Sequence, residues 1–381
     1  MHTTLAQLNE YGQSIWYDNI SRDLISGGGL EKLRELGLRG VTSNPTIFDK
    51  AISGSNDYDP QIREVLAGNP AAETGDLVRS LMVRDIQMAA DILEPVYEAT
   101  EGKDGFVSVE VTPSKARDTQ ATIAEVRELW AAVNRKNVMI KIPATREGLP
   151  AIEQSIAEGY NINVTLIFSV ERYREVATAY IKGLERRSSN GRTTNHVASV
   201  ASIFVSRIDT LVDDLLQKKI AAATNAAAAN RLQGLLGKAA VANAKMVYQA
   251  FKELFFGPPF ASAAARGAAM QRPLWASTGT KNPGYSDLHY VDSLIGSHTV
   301  NTVPPITFEA ILDHSRPAPT VESDLSGARA VLRDLLAAGI DMVAVMKKLE
   351  DDGVAAFEKS FDALYNSLAA KRSRLASGIS V

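Results

Sequence analysis

Short apolar runs alternate with longer helical segments along most of the chain. Strand-like runs lie at residues 14–18, 40–45, 106–111, 138–143, 161–168, 199–207, 274–278 and 299–304. Between them, apolar residues recur at helical spacing, most clearly in residues 73–100, where Leu77, Leu81, Ile86, Ala90 and Leu93 form one stripe. Eight strands separated mostly by helices predict a closed parallel barrel, the (β/α)8 TIM barrel of the α/β class.

Other helices and loops complete this outline. Further helices are predicted at 3–10, 30–36, 117–134, 147–158, 170–187, 208–219 and 235–255. From about residue 321 to the C-terminus the pattern is helical, with breaks expected near Gly339 and Gly353. We expect loops at 27–29 and 304–319, and interpret the Ala-rich stretches 221–230 and 261–269 as helix surface or loop. One barrel domain over residues 1–381, with additional N- and C-terminal helices, is the expected organisation.

The two faces of the strands favour a barrel over an open doubly wound sheet. Strands of such a sheet are buried on both faces and read as nearly continuous apolar runs. Here Ser108 and Glu110 share one face of their strand, and Asn161, Asn163 and Thr165 share one face of theirs. A barrel accommodates this pattern because its interior can be polar near the mouth.

The run VMIKIPA at residues 138–144 places a single lysine, Lys141, inside an apolar strand. Alternation puts Met139 and Lys141 on one face. An isolated lysine of this kind is most often a residue that pairs with a carboxylate or extends to solvent. The alternative is a desolvated neutral amine that attacks a carbonyl group. The strand alone leaves both readings open.

Polar residues recur at the predicted C-terminal ends of the strands, where parallel barrels carry their functional groups. Each has a structural alternative: Asp18 could cap a helix, Asn44 could hold the turn before Pro45, and Thr165 is common in strands. Together they would form an unsatisfied cluster unless they bound a polar ligand. These residues are Asp18, Asn44, Glu110, Lys141, Asn163, Thr165, Ser202 and Ser277.

These residue types permit chemistry on a carbonyl compound. Attack by Lys141 forms a carbinolamine, and Glu110 and Thr165 on neighbouring strands could relay the protons needed to lose water. Asp18 offers a second carboxylate as general acid or base. Asparagine side chains both donate and accept hydrogen bonds, which suits sugar hydroxyls.

Composition excludes several other classes. A formal net charge of −3 gives no basic stripe, so we expect no nucleic-acid partner. The chain lacks cysteine, which excludes disulfides and thiolate sites and suits a cytoplasmic location. We expect no signal peptide and no membrane span. The histidines show no metal-ligand spacing, so we predict no metal and no organic cofactor; they are His2, His196, His289, His298 and His314.

Six strings in order, each near a strand end, resemble transaldolase: SNPTIF at 43–48, VSVEV at 107–111, MIKIPAT at 139–145, INVTLIFS at 162–169, SIFVSR at 202–207 and WASTGTKNP at 275–283. The resemblance runs from the first strand to the C-terminal helices. The length and the last string are similar to the transaldolase part of bacterial transaldolase/phosphoglucose isomerase fusions. The chain leaves no room for that second enzyme.

The resemblance implies a Schiff-base barrel enzyme of the pentose phosphate pathway. Lys141 would attack the C2 ketone of fructose 6-phosphate or sedoheptulose 7-phosphate. Glu110, through a water held with Thr165, would shuttle protons, and Asp18 would take the C4 hydroxyl proton. The retained dihydroxyacetone unit, bound by Asn44, Asn163 and Ser202, would pass to glyceraldehyde 3-phosphate or erythrose 4-phosphate.

The resemblance also implies a phosphate site. Arg207 follows the sixth strand as the family's phosphate arginine does. Many members carry a second arginine shortly after the seventh strand. Here Lys281 stands in the run TGTKN that follows Ser277, and it would supply charge without a bidentate fork.

Two alternatives to a transferase remain. A related lysine aldolase would release free dihydroxyacetone, but such enzymes tend to have Gln at the position of Glu110 and Tyr at that of Phe204. A barrel that only binds sugar phosphates would have no need of Lys141, Glu110 and Asp18. The expected partners are therefore small sugar phosphates, and monomer and homodimer both remain open.

Overall fold

The computed structural model describes residues 3–376, and eight parallel strands form its centre. Each strand pairs with its sequence neighbours and the last returns to the first, so the predicted closed barrel is confirmed. The strands are β1 (Gln13–Tyr17), β2 (Gly40–Thr42), β3 (Phe106–Glu110), β4 (Val138–Pro143), β5 (Ile162–Ile167), β6 (Ser199–Phe204), β7 (Arg272–Ala276) and β8 (Thr299–Val303).

Helices surround the barrel and extend beyond it at both ends of the described chain. In the first half they are α1 (Thr4–Glu10), α2 (Arg22–Ser26), α3 (Gly29–Glu35), α4 (Pro45–Ser53), α5 (Asp59–Gly68), α6 (Thr74–Ala99), α7 (Thr119–Val133), α8 (Gly148–Glu158) and α9 (Val170–Ser189). In the second half they are α10 (Ser206–Ala221), α11 (Ala226–Gln233), α12 (Ala239–Phe255), α13 (Pro258–Ala264), α14 (His289–Ser293), α15 (Pro305–His314), α16 (Leu325–Ala337) and α17 (Met342–Ala376). A short 3₁₀ turn, Pro113–Lys115, follows β3.

The prediction of a loop at residues 304–319 is wrong for its first part, which forms helix α15. Pro305 occupies the first turn of α15, where a missing N–H costs nothing and the fixed backbone angle favours a helix. Thr307, Phe308 and Ile311 of this helix are buried. Proline thus starts a helix here and is not a sign of a loop.

The helix break predicted at Gly353 is also wrong, because α17 runs through this residue. The break at Gly339 is confirmed: its φ of 73° is left-handed, and it lies between α16 and α17. A Cβ on Gly353 would lie 2.9 Å from Cδ2 of Leu166. Close packing of α17 on β5 therefore explains why glycine stands here, although glycine destabilises a helix by about 1 kcal/mol relative to alanine.

The predicted alternation along β5 fails after Thr165. The pairing of β5 with β6 shifts register between Val164 and Ile167, and Leu166 adopts a φ of 60°. A leucine in the left-handed region is strained, and such backbone persists only where its surroundings impose it. The irregularity lies beside Thr165 at the mouth of the barrel.

An ion pair and two hydrogen bonds connect strands at the opposite, N-terminal end of the barrel. Asp104 accepts hydrogen bonds from Ser14 Oγ at 2.7 Å and Trp16 Nε1 at 3.1 Å, and lies 2.8 Å from Arg272 Nη2. Trp16 is fully buried. These contacts join β1, β7 and the residue segment before β3 at the N-terminal end of the barrel.

Two predictions concern parts of the chain that the structure leaves open. Helix beyond residue 376 and the role of His2 lie outside the described residues. All strands of residues 3–376 belong to one sheet, and a single domain over residues 1–381 stays a prediction. Within the described range, no helix is long and apolar enough to cross a membrane.

Candidate active site

A cavity of about 640 Å³ opens at the C-terminal ends of the strands. All the predicted site residues except Glu110 and Asn163 line it, namely Asp18, Asn44, Lys141, Thr165, Ser202, Phe204, Arg207, Ser277 and Lys281. Residues from every part of the chain thus meet at one mouth, as the fold requires of strand ends in a parallel barrel.

A second and larger cavity, of about 910 Å³, lies at the N-terminal ends of the strands. Its walls are mainly apolar and include Phe106, Met139, Phe255, Phe260 and Met270. None of the predicted site residues lines it. Size alone would favour this cavity, but the groups capable of acid–base and nucleophilic chemistry gather at the C-terminal mouth, which we take as the candidate site.

The centre of the site is the pair formed by Lys141 on β4 and Glu110 on β3. The two residues are direct neighbours across the β3–β4 pairing, so strand register alone brings them together. Lys141 Nζ lies 3.3 Å from Glu110 Oε2 and donates a hydrogen bond of 3.0 Å to the carbonyl of Ser43. Both residues are almost fully buried, with 5% and 4% of their surface exposed.

Glu110 is a carboxyl group in an environment that favours its protonated form. Burial raises its pKa, the charge of Lys141 opposes that rise, and the nearby carboxylate of Asp18 adds to it. Its Oε1 is buried without a hydrogen-bond partner among the described residues, and so is Oγ1 of Thr165. Unpaired buried oxygens beside a reactive amine are typical of groups that act on a ligand.

Asp18 directly follows β1 and also lines the cavity. Its Oδ1 accepts a hydrogen bond of 2.7 Å from Thr42 Oγ1, which is also 2.6 Å from Thr302 Oγ1. Burial raises the pKa of Asp18, while the charge of Lys141 and the Thr42 hydrogen bond lower it. Two carboxyl groups with raised pKa values therefore flank one lysine.

Asn163 lies beneath the cavity and does not line it. It is fully buried, its amide donates to Ser108 Oγ at 3.1 Å, and its Oδ1 accepts from Ser202 Oγ at 2.7 Å. In the barrel register it is the direct neighbour of Lys141. These contacts hold Ser202 in place from below, and direct binding of a ligand by Asn163 stays a prediction.

Asn44 caps a helix and also lines the cavity. Its Oδ1 accepts from the backbone N–H of Ile47 at 3.1 Å and so caps α4. The residue also lines the cavity. The structural role of this asparagine is thus a helix cap and not the predicted turn before Pro45, and it leaves the amide nitrogen for other contacts.

The positive end of the cavity is formed by Arg207 and Lys281. Arg207 belongs to the first turn of α10, not to the strand predicted at 199–207, and its guanidinium lies 5.2 Å from the Phe204 ring centroid. Burial lowers the pKa of Arg207. Lys281 is exposed on the loop after β7. That loop starts at Ser277, whose φ is 55° and whose Oγ lies 3.0 Å from Ser206 Oγ.

Sequence reasoning missed several residues of the site. Thr42 and the carbonyl of Ser43 belong to the string SNPTIF or directly precede it, so their position at a strand end could have indicated them. Lys50 of α4 and Phe357 of α17 also line the cavity. Phe357 had no sequence signal, because nothing in a long helical pattern shows which turn meets the barrel mouth.

Among the described residues, no group of three or more His, Asp or Glu side chains could hold a metal ion. The fold and the site thus define a class: a parallel (β/α)8-barrel protein with a buried lysine and two carboxyl groups at its mouth.

Comparison with known proteins narrows this class to one family. The model of the transaldolase/fructose-6-phosphate aldolase family matches residues 15–368. Transaldolase 2 of Nostoc sp. (strain PCC 7120) is 48% identical over 372 residues, which cover 96% of this chain and 97% of the relative. The transaldolase of Saccharopolyspora erythraea is 48% identical over 369 residues, which cover 96% of this chain and 97% of that protein. The transaldolase of Thermobifida fusca is 47% identical over 371 residues, which cover 97% of this chain and 98% of that protein. The chain belongs to the transaldolase/fructose-6-phosphate aldolase family.

Proposed function

We propose that this protein is a transferase, a transaldolase of the pentose phosphate pathway that works through a lysine Schiff base. It transfers a dihydroxyacetone unit from sedoheptulose 7-phosphate or fructose 6-phosphate to glyceraldehyde 3-phosphate or erythrose 4-phosphate. The observation that carries the proposal is the buried pair of Lys141 and Glu110, 3.3 Å apart, in a cavity that Asp18 also lines. Full-length similarity to proteins named transaldolase supports it.

Imine formation requires a proton to reach the departing oxygen. The neutral amine of Lys141 attacks the C2 carbonyl carbon, and the carbonyl oxygen takes up the proton that the nitrogen loses. It then needs a second proton to leave as water, with formation of the iminium. Glu110, whose raised pKa lets it hold a proton nearer neutrality, supplies that proton. A water held with Thr165, whose Oγ1 is unpaired, would carry it.

Cleavage then needs a second acid–base group. Asp18 takes the proton of the C4 hydroxyl, the C3–C4 bond breaks, and its electron pair moves into the iminium to give an enamine. The product aldehyde leaves, and the enamine carbon attacks the carbonyl of the incoming aldose phosphate while Asp18 returns its proton to the new hydroxyl. Water then adds to the iminium, the carbon–nitrogen bond breaks, and the ketose phosphate leaves with Lys141 free. Asn44, Asn163 and Ser202 are proposed to hold the three-carbon unit, with Asn163 acting through Ser202. Arg207 and Lys281 are proposed to bind the phosphate.

The family name also covers an aldolase, which would release dihydroxyacetone. Glu110 and Phe204 both favour the transferase, and the curated relatives named above are transaldolases. Cytoplasmic location and the choice between monomer and homodimer stay predictions.

Trapping of the imine tests the proposal. Incubation with fructose 6-phosphate and borohydride should reduce the imine and fix a three-carbon adduct on Lys141, found by peptide mapping. Lys141→Ala should lose the adduct and retain less than about one-thousandth of the turnover, because no other group replaces the nucleophile.

The matched control is Lys50→Ala, which removes another lysine of the cavity wall and keeps Lys141. It should still form the adduct. An unlabelled Lys141 in the wild-type peptide map would contradict the Schiff-base mechanism. Product that forms without erythrose 4-phosphate as readily as with it would indicate an aldolase.

A further inference from the structure

The last described helix, α17, brings one aromatic side chain into the cavity. Phe357 is 5% exposed and lines the cavity wall. Its ring centroid lies 5.9 Å from Lys141 Nζ and 6.5 Å from the ring centroid of Phe204. Phe357 and Phe204 thus form an apolar wall beside an amine whose polar contacts are Ser43 and Glu110.

Contacts on both sides of Phe357 fix this part of α17. Towards the start of the helix, Gly353 allows a close approach to Leu166 at the end of β5. One turn after Phe357, Ser360 Oγ accepts a hydrogen bond of 2.7 Å from Thr46 Oγ1 of α4. Near the end of the helix, the buried Lys371 pairs with Asp59 at 2.8 Å. The aromatic ring is therefore held over the site by the body of the protein.

The proposed reaction has one intermediate that water can divert. If the enamine carbon gains a proton, the enamine becomes an iminium. Water then adds to the iminium carbon, the carbon–nitrogen bond breaks, and dihydroxyacetone leaves with Lys141 as the free ammonium. This path consumes one proton and one water and transfers nothing. A transferase must slow it until an aldose phosphate arrives.

We propose that Phe357 determines specificity for transfer over hydrolysis by keeping solvent from the enamine on Lys141. The inference rests on the proposed function of the site. On its side of Lys141 the ring presents apolar surface, which offers water no hydrogen-bond partner; the polar groups of the site lie on Glu110 and Thr165. Its position near Nζ also favours a cationic iminium over its hydrated adduct. A smaller side chain would leave room for water next to the reacting carbon.

A graded series at this position tests the proposal: Phe357→Leu, Phe357→Val and Phe357→Ala. The measurement is a ratio, the rate of free dihydroxyacetone release from fructose 6-phosphate without acceptor, divided by the rate of transfer to erythrose 4-phosphate. The ratio should rise as the side chain shrinks, by about tenfold or more for alanine, which corresponds to a change of about 1.4 kcal/mol in relative barriers. Leucine should stay near the wild type.

Phe361→Ala is the matched control. Phe361 lies one turn further along α17, packs against the core, and does not line the cavity. Its truncation loosens the same helix without opening the site, so the ratio should not change. If Phe357→Ala does not fold, Phe357→Val still gives an intermediate ratio. A flat series, or an equal rise in Phe361→Ala, would overturn the role of Phe357.

The wild-type protein separates this inference from the proposed function. Failure of the wild type to transfer the three-carbon unit and to form the borohydride adduct would contradict the function itself. Normal transfer by the wild type, together with an unchanged ratio in the Phe357 series, would contradict only the assignment of Phe357.

Discussion

Arg207, which we propose binds the phosphate, reaches the cavity from a strand–helix junction. It is in the first turn of α10, directly after β6, with its guanidinium stacked near Phe204 on the cavity wall. A planar guanidinium matches a phosphate group with two parallel hydrogen bonds, whereas Lys281 offers only a point charge. We therefore expect Arg207 to contribute more to phosphate binding than Lys281 does.

Arg207→Ala should raise KM for fructose 6-phosphate by about 10- to 100-fold. Charge-assisted hydrogen bonds contribute about 1.5–3 kcal/mol, and each 1.4 kcal/mol is a factor of ten. Lys281→Ala should have a smaller effect, because its side chain is exposed. Steady-state kinetics with fructose 6-phosphate would measure both.

Unphosphorylated fructose is the control substrate for this prediction. Its kcat/KM should be equal in wild type and Arg207→Ala, because the lost contact is with the phosphate. An unchanged KM for fructose 6-phosphate would show that the phosphate lies elsewhere.

At the scale of elements, glycines mark where two helices or a helix and a strand approach closely. Gly183 lies within α9, and a Cβ there would be 2.7 Å from Ile156 Cβ and 2.8 Å from the carbonyl oxygen of Glu153. Both atoms belong to α8 and are fixed by its backbone. From the sequence, such a glycine indicates only a residue of low helix propensity. The structure shows that the close approach of α8 leaves no room for a Cβ at this position.

Gly183→Ala should lower the free energy of unfolding by about 1–3 kcal/mol, because the overpacked interface must move apart. Chemical denaturation would measure the change. Gly75→Ala is the matched control, since Gly75 lies in α6 with no atom within 4 Å of a new Cβ. That variant should be as stable as the wild type or slightly more stable. Equal destabilisation of both would contradict the packing argument.

At the scale of the whole molecule, a buried carboxyl group links stability to pH. Asp209 of α10 is 1% exposed, and burial raises its pKa to about 6. It accepts hydrogen bonds from the backbone N–H of Ala240 at 2.8 Å and from Tyr290 Oη at 3.0 Å. The folded protein therefore holds this proton more tightly than the unfolded chain, in which a carboxyl has a pKa near 3.9.

The contribution of Asp209 to stability is therefore fully present below about pH 4 and is lost as the pH rises through about 6. Between pH 5 and pH 8 the wild type should lose about 1 kcal/mol of unfolding free energy relative to Asp209→Asn, whose side chain does not titrate. Denaturation of both proteins across this range measures the difference. A difference that is constant with pH would show that Asp209 does not titrate there.

Periodicity and residue type by themselves determined the eight strands, most helices and the list of strand-end polar residues. Strand order and register in a parallel barrel then follow from short-range connections, so Glu110, Lys141 and Asn163 are adjacent as soon as the barrel closes. These predictions succeeded because they depend on local backbone preferences and on a fold that repeats one unit. The family resemblance rests on the same strings.

Tertiary structure alone decided which distant segments complete the site. The sequence pattern could not show that α15 begins at Pro305 or that β5 is irregular at Leu166. Nor could it show that α17 continues through Gly353, where the helix packs closely against Leu166. It also could not bring Phe357 to within 5.9 Å of Lys141 Nζ. These features depend on contacts between residues far apart in the chain, and no local preference encodes which pair of surfaces will meet.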